Sequence, residues 1–350
     1  MRDRWGGDEV EVRERFRATA ADVDAGARDV REGLRWLGRR GLLTPHPDGA
    51  TRLGHTVRLL RVLAAASLAD AFAAWSQTMV VDYLTRFLPG AEHTDVVTGL
   101  VDGTVPGATA LAPAITDVAG GPPVPVLAEP RAAGWSLTGP VRWASNLFPG
   151  AVLVVPAHTP NGGRLVAPLR LDAPGVRVGP TTALLALDAT GTSSVALHGA
   201  RVTSEAVLTC DLAGFLHLCR PTMIVTQAAL ALGLADAALQ ATEEALTGPS
   251  DGLRTEHEDL GARRDAVSDR LSEAAAGPGD ASAPAAGARL DAMAVATRAV
   301  TLEGIAHGGS GFRRDSATSR RRREVAFLPL QAPTVPQLRA AVAAARRRLL

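Results

Sequence analysis

The sequence contains no lysine, because all 37 basic residues are arginine. The 36 acidic residues nearly balance them, so the formal net charge is +1 and excludes nucleic-acid binding through overall charge. Cysteine is also scarce: Cys210 and Cys219 lie nine residues apart, in no C-x-x-C pattern. This excludes a disulfide scaffold, argues against a cysteine metal site and favours a reduced, cytoplasmic protein.

Several motifs are missing as well. No G-x-G-x-x-G follows a predicted strand, which argues against a dinucleotide-binding parallel sheet. The eight histidines form no H-x-x-x-H or H-E-x-x-H pattern, so metal-assisted hydrolysis lacks ligands. The N-terminus has no apolar stretch typical of a secretion signal, and Asp70 and Asp236 interrupt the long apolar runs. Secretion and membrane spanning are therefore not expected.

Apolar residues are abundant, at 46% of the 350 residues. The spacing between them differs from one part of the chain to another. Up to about Leu88 they recur every three or four residues, which predicts helices, with a break between Gly41 and Gly49. From about Val105 to Leu208, short apolar runs alternate with Gly, Pro and Asp, which predicts strands. We expect three units: a helical domain (1–104), a β-domain (105–210) and a helical bundle (211–350).

The predicted fold class is therefore α+β. The spacing of the short runs, which include Ala108–Ala112 and Thr182–Ala189, favours an antiparallel barrel or sandwich. After Arg220-Pro221 the chain reads as one long apolar helix that needs burial in a bundle of four helices. An Ala/Gly/Pro/Ser linker is expected from Gly277 to Gly287.

Two separate motifs in this order resemble the acyl-CoA dehydrogenase family of flavoproteins. Gly134-Trp-Ser-Leu-Thr-Gly-Pro-Val-Arg-Trp-Ala-Ser-Asn146 is similar to the family's G-x-x-L-x-G-x-K-x-W-I-T-N. Gly308-Gly-Ser-Gly-Phe312 and the chain up to Thr334 are similar to its G-G-x-G-Y, R-x-x-R-D and E-G-T series. The resemblance covers nearly the whole chain.

The resemblance implies an FAD cofactor held between the β-domain and the C-terminal helices, in a homodimer or homotetramer. Trp143 would pack near the flavin ring, Ser145 would bond its polar edge, and Thr334 would offer a hydroxyl. Gly308 and Gly309 would let the backbone approach the cofactor. The alternatives stay open: Trp143 as a strand aromatic, Ser145 as a turn residue and the glycines as a helix C-cap.

The sequence departs from the family where the chemistry takes place. The family removes a substrate proton with a glutamate that directly precedes its G-T pair, and the matching residue here is Ala332, which cannot accept a proton. Of the family's T-E-P-x-A-G-S-D motif, only Thr116 retains a hydroxyl. Ordinary α,β-dehydrogenation is therefore not expected, whereas FAD binding still is.

Two further features allow more than one interpretation. His307, beside the glycine pair, is a candidate for a proton donor, and the alternative is a histidine that caps its helix. The arginine run 320–323 suits a solvated face, a set of salt bridges between subunits or a clamp for CoA phosphates better than a nucleic-acid site, since no aromatic residues are interleaved with it.

Three hypotheses follow. The first is a FAD-dependent oxidoreductase of bacterial secondary metabolism that acts on an acyl thioester or related intermediate without the glutamate, for example as a monooxygenase. The second is a catalytically silent subunit that pairs with a homologous, base-bearing partner. The third is a cofactor-free cyclase or isomerase that reuses the same cleft. The sequence does not identify the substrate.

Overall fold

The computed structural model describes residues 5–44, 49–88, 90, 94–276 and 282–348. Helices come first and last, and the strands lie between them. Before the sheet, or between its strands, are α1 (Trp5–Asp24), α2 (Arg31–Arg39), α3 (Gly49–Ala66), α4 (Leu68–Phe87), α5 (Asp95–Val101) and α6 (Ala112–Val118). After it come α7 (Leu212–Ala245), α8 (Arg254–Ala276), α9 (Ser282–Gly311), α10 (Ala317–Val325) and α11 (Val335–Arg348).

The sheet has seven strands. They are β1 (Gly107–Thr109), β2 (Leu127–Arg131), β3 (Gly134–Ala144), β4 (Val152–His158), β5 (Arg164–Arg170), β6 (Val176–Val178) and β7 (Ser193–Thr203). Their spatial order is β1-β4-β2-β3-β7-β6, with β5 paired to β4. The α+β prediction is confirmed.

The predicted antiparallel arrangement is wrong in part, because β1 and β2 each pair with β4 in parallel. Between β1 and β4 the chain forms α6 and the β2–β3 hairpin, which gives the crossover that a parallel pair needs. One predicted strand is shorter than expected and one is wrong. Ala108 and Thr109 lie in β1, but Ala112 begins α6. The run that ends at Ala189 is not a strand, because it is irregular up to a short 3-10 turn, Asp188–Thr190.

Helix α7 is the main element of the core. It begins at Leu212, where Asp211 caps it by accepting a hydrogen bond from Gly214 N, so the predicted start after Pro221 is wrong and Pro221 lies inside the helix. Of the described helices it alone is long and apolar enough to cross a membrane, but 89% of its most apolar window is buried in the protein. It is therefore a core helix, packed on α3 and α9.

Two more boundaries differ from the predictions. Helix α9 begins at Ser282, so residues 282–287 of the predicted linker are helical and 277–281 lie outside the described residues. The same helix runs past Ala306 to Gly311 and breaks at Gly308, whose φ of 53° and ψ of −135° are not helical. Of the predicted break between α2 and α3, residues 45–48 lie outside the described residues.

Helices α3 and α7 cross at Gly233, where a Cβ would collide with the carbonyl oxygen of Arg61. We expect Gly233→Ala to lower the free energy of unfolding by roughly 1–3 kcal/mol or more, because two backbones would have to separate. The matched control is Gly261→Ala on α8, where a Cβ meets nothing within 4 Å and should stabilise the helix by roughly 0.5–1 kcal/mol. Urea unfolding of both variants measures this, and equal effects would contradict the close crossing.

Candidate functional site

A cavity of about 530 Å³ lies between the sheet and the helices. It is bordered by the end of β3, the segment before β7, helices α4, α6 and α7, and the chain after α10. Its volume is within the usual range of small-molecule sites. Arg323 is the only ionisable residue among the described residues that line it. The lining consists of Phe72, Trp75, Ser76, Thr109, Leu111, Ala112, Ile115, Trp143, Ala144, Ser145, Leu184, Leu185, Ala186, Leu187, Thr192, Met223, Arg323, Ala326, Phe327, Leu330, Gln331 and Ala332.

Three aromatic rings form one wall of this cavity. Phe72 and Trp75 stack with their ring centroids 5.4 Å apart and their planes at 8°. Phe327 meets Phe72 edge-on at 4.8 Å. The Trp75 indole N–H donates a 3.0 Å hydrogen bond to Thr226 Oγ1 on α7, which fixes the ring while its polar atom is buried. The sequence analysis missed this wall, although Phe72 and Trp75 share a helix face at i, i+3 spacing.

Ser145 belongs to a chain of hydroxyl groups with a definite direction. Its Oγ lies 2.7 Å from Thr192 Oγ1, which lies 2.8 Å from Thr190 Oγ1. Thr190 donates its only hydroxyl hydrogen to Leu187 O at 2.8 Å. Since each hydroxyl has one hydrogen, Thr192 must donate to Thr190, and Ser145 to Thr192. Ser145 Oγ therefore offers lone pairs, and not a hydrogen, to a molecule in the cavity.

The backbone around this hydroxyl chain is strained. Asn146 and Leu187 are the two non-glycine residues with positive φ in the described part of the chain, at 61° and 68°. For leucine this conformation costs on the order of 1 kcal/mol. The fully buried Asn146 side chain donates to Ala73 O and Gly107 O, both at 3.0 Å, and its backbone N–H to Thr190 O. These bonds tie α4 and β1 to the cavity wall.

Ala332, at the position that matches the family's base, lines the cavity on a chain segment held by buried donors. The Arg289 guanidinium donates to Gln331 O and to Pro333 O, both at 2.8 Å, and Gln227 Nε2 donates to Ala332 O at 3.0 Å. Arg289 is 1% exposed, and its burial lowers its pKa to about 9, so the cation persists at neutral pH. The sequence analysis missed Arg289, an isolated charge in an alanine-rich helix.

The two predicted threonines lie close together but are not part of the cavity lining. Gln337 Oε1 accepts a hydrogen bond from Thr334 N at 2.7 Å, and Gln337 Nε2 donates to Thr116 Oγ1 at 3.2 Å. Helix α6 carries Thr116 and α11 carries Gln337. One glutamine thus joins two positions that the sequence motifs placed far apart.

The glycine pair and its neighbouring histidine lie elsewhere in the molecule. His307 Nε2 lies 3.2 Å from Ala241 O on α7, which is 18 residues from the cavity residue Met223. At 1.5 Å per residue, this separation is about 27 Å. Gly308 and Gly309 are exposed, with nothing within 4 Å of a Cβ built at either residue. In one chain, these three residues do not meet Trp143 and Ser145.

Three of the four arginines at 320–323 bind groups of the same chain. Arg320 donates to Ala66 O at 3.0 Å. Arg321 pairs with the buried Glu303, and Arg323 binds Asp24 with two bonds of 2.6 and 2.8 Å. Arg322 is exposed. Salt bridges between subunits were one of three alternatives for this run, and Arg321 and Arg323 instead form their salt bridges within one chain.

Comparison with known proteins gives matches only among solved structures, since no protein-family model and no curated protein matches the sequence. Butyryl-CoA dehydrogenase from Megasphaera elsdenii has a TM-score of 0.85 at 20% identity, over 97% of each chain. Dibenzothiophene monooxygenase from Paenibacillus sp. A11-2 has 0.79 at 18%, over 95% of this chain and 94% of its own. A structure of PigA with FAD and proline has 0.82 at 18%, over 100% and 99%. At these identities the likeness establishes the architecture, and the chain has the acyl-CoA dehydrogenase fold.

Proposed function

We propose that this chain is a FAD-dependent oxidoreductase that works without a carboxylate base, in the manner of a monooxygenase. The observation that carries the proposal is the cavity, which presents an aromatic face and an acceptor hydroxyl but no aspartate, glutamate, histidine, cysteine or tyrosine among its described lining residues. Solved structures of the same fold include one with FAD and one named as a monooxygenase.

The residues at this cavity fit the ring end of FAD. The Trp143 side chain lines the cavity and is 59% exposed, so one ring face is free to pack on a planar group. Ser145 Oγ, with its hydrogen used by Thr192, would accept a hydrogen bond from an N–H of the flavin ring. Thr116 and Thr334 would contact the rest of the cofactor. When bound, FAD supplies the redox chemistry, and the protein supplies binding and orientation.

The protein's part in the reaction is to bind, orient and exclude water. Proton abstraction next to a carbonyl needs a base within hydrogen-bond reach, and Ala332 has none to offer. Arg323, the one ionisable residue in the described part of the lining, is a cation that pairs with Asp24. We therefore propose a reaction in which no side chain of the cavity takes a proton from carbon. The substrate would be an acyl thioester or a related biosynthetic intermediate.

The missing base also favours a second candidate function, a silent subunit whose homologous partner carries the glutamate. Co-purification with such a partner, and activity only in the pair, would distinguish it. We further propose that the chain works in the cytoplasm as a homodimer or homotetramer. The side chains of Ile305 and Phe312, 59% and 83% exposed near the end of α9, offer an apolar surface for such contacts.

Visible absorption of the purified protein, before and after incubation with excess FAD and desalting, tests the proposed function. We expect stoichiometric FAD to be retained. Trp143→Ala should weaken FAD binding about tenfold, the value of one aromatic stacking contact. Leu218→Ala, an exposed apolar side chain that does not line the cavity, is the control. A colourless protein that refuses FAD would overturn the proposal.

A further inference from the structure

The lining of the cavity includes Gln331, a polar side chain that the protein itself leaves unbonded. Gln331 is 6% exposed and lines the cavity, yet its side chain makes no hydrogen bond with any of the described residues, and its Nε2 is buried without a partner. A buried donor without a partner has lost its hydrogen bonds to water and gained none in return, so such groups are rare in folded proteins. A bound molecule that accepts a hydrogen bond from Nε2 would make up this loss.

Most other polar groups of the lining are already occupied. Ser76 Oγ donates to Gly107 O at 2.9 Å, Ser145 donates to Thr192, and Arg323 pairs with Asp24. These side chains hold the walls together. Thr109 Oγ1 is also buried without a partner, but that residue as a whole is only partly buried. Among the described lining residues, Gln331 is therefore the more deeply buried of the unpaired donors and the group best placed to select a ligand.

The backbone that carries this glutamine is fixed from outside the cavity. The carbonyls of residues 331, 332 and 333 each accept a hydrogen bond from a buried side chain, two of them from Arg289 and one from Gln227. A donor on such a segment is preorganised, so little conformational entropy is lost when it binds. The terminal torsion of the side chain is soft, and the amide can turn its N–H₂ towards a ligand.

We propose that Gln331 is the substrate-recognition residue of this cavity and that it binds the carbonyl oxygen of an uncharged group with an apolar body. This inference rests on the proposed function, because it uses the same cavity. A neutral amide matches a neutral acceptor, and the surrounding Phe327, Leu330 and Ala332 suit an apolar body. The described lining residues include no carboxylate to attract a cationic ligand, and the one cation among them, Arg323, is paired.

Isothermal titration calorimetry with two nearly isosteric probes tests this inference. 2-Acetylnaphthalene carries a carbonyl, and 2-isopropenylnaphthalene has a CH₂ group in place of the oxygen. We expect the wild-type protein to bind the ketone about tenfold more tightly, the effect of one hydrogen bond. Gln331→Met keeps the shape, removes the donor and should abolish the preference. Gln331→Glu, which only accepts hydrogen bonds when ionised, should weaken ketone binding further.

The control is Gln240→Met, the same substitution on the exposed side of α7, which should retain the preference. Equal affinities in the wild type, or a preference that survives Gln331→Met, would overturn the inference. Hexanoyl-CoA, titrated in parallel, identifies the source of the carbonyl: weaker binding of both the ketone and hexanoyl-CoA in Gln331→Met assigns it to a thioester, and a loss confined to the ketone assigns it to a free molecule.

FAD content, measured by absorbance in the same samples, separates this inference from the proposed function. Protein that holds no FAD but prefers the ketone through Gln331 would overturn the proposed function alone. Protein that retains FAD but does not distinguish the two probes would overturn the inference alone. Thermal unfolding monitored by circular dichroism shows whether each variant is folded before titration.

Discussion

Replacing Glu303 by leucine is expected to lower the free energy of unfolding by roughly 3–5 kcal/mol, because it leaves a cation buried without its counterion. The Glu303 side chain is 0% exposed. It accepts a hydrogen bond of 2.8 Å from Arg321 Nε, a second bond from Arg321 Nη2 and one of 2.6 Å from Thr318 Oγ1. This pair joins α9 to α10, the helix that precedes the cavity-lining segment at Phe327.

Urea unfolding of the single and double variants measures the effect. Glu303→Leu combined with Arg321→Met should recover much of the loss, since an apolar pair of similar volume avoids the desolvation of two charges. Asp315→Ala breaks an exposed pair with Arg313 and should change the unfolding free energy far less. If Glu303→Leu changed the free energy of unfolding as little as Asp315→Ala, the Glu303–Arg321 pair would not be what stabilises the packing of α10.

The second large effect concerns Asp70, whose ionisation should make the protein less stable as the pH rises. Burial raises the pKa of Asp70 to about 7, and the nearby Glu324, whose own pKa burial raises, adds to this. The folded state therefore keeps a proton that the unfolded state loses near pH 4. Between about pH 4 and pH 7 the Asp70 carboxyl should lower the free energy of unfolding by about 1.4 kcal/mol per pH unit.

Asp70→Asn should make this pH dependence shallower and should stabilise the protein at pH 8, where the wild-type carboxylate is charged. Arg15 and Arg320 are the cations near Asp70, and both oppose the rise in its pKa. Asp172→Asn is the control. Arg170 lowers the pKa of Asp172, so this carboxyl is ionised in both states above pH 5 and contributes no slope. Parallel stability curves for the wild type and Asp70→Asn from pH 5 to 8 would contradict the prediction.

The order of helices, strands and helices followed from the sequence. Apolar residues repeat about every 3.6 residues in a helix and every 2 in a strand, and these spacings differ clearly over long segments. The pairing of the strands did not follow, since β1 lies parallel to β4 only because α6 and a hairpin come between them along the chain. Pro221 indicates a helix boundary in the sequence, but in the structure it lies inside α7, where burial maintains the helix. The division at residues 104 and 210 stays a prediction.

For the site, family motifs indicated Trp143, Ser145 and Ala332, and all three line one cavity, although their roles stay predictions. Gly308, Gly309 and His307 came from an equally good motif yet lie about 27 Å along α7 from Met223. Spacing in the sequence carries no information on this distance. Arg289 and Gln331 were missed because their importance depends on burial and on missing partners, which only coordinates reveal.

The fixed carbonyls around Ala332 have a consequence for how this protein can change over generations. None of the three bonds that hold residues 331–333 involves the Ala332 side chain, so the backbone there does not depend on which residue occupies the position. An alanine codon that ends in A or G becomes a glutamate codon by a single base substitution. A lineage with this scaffold can therefore gain or lose a proton acceptor in one mutational step, without rebuilding the loop that carries it.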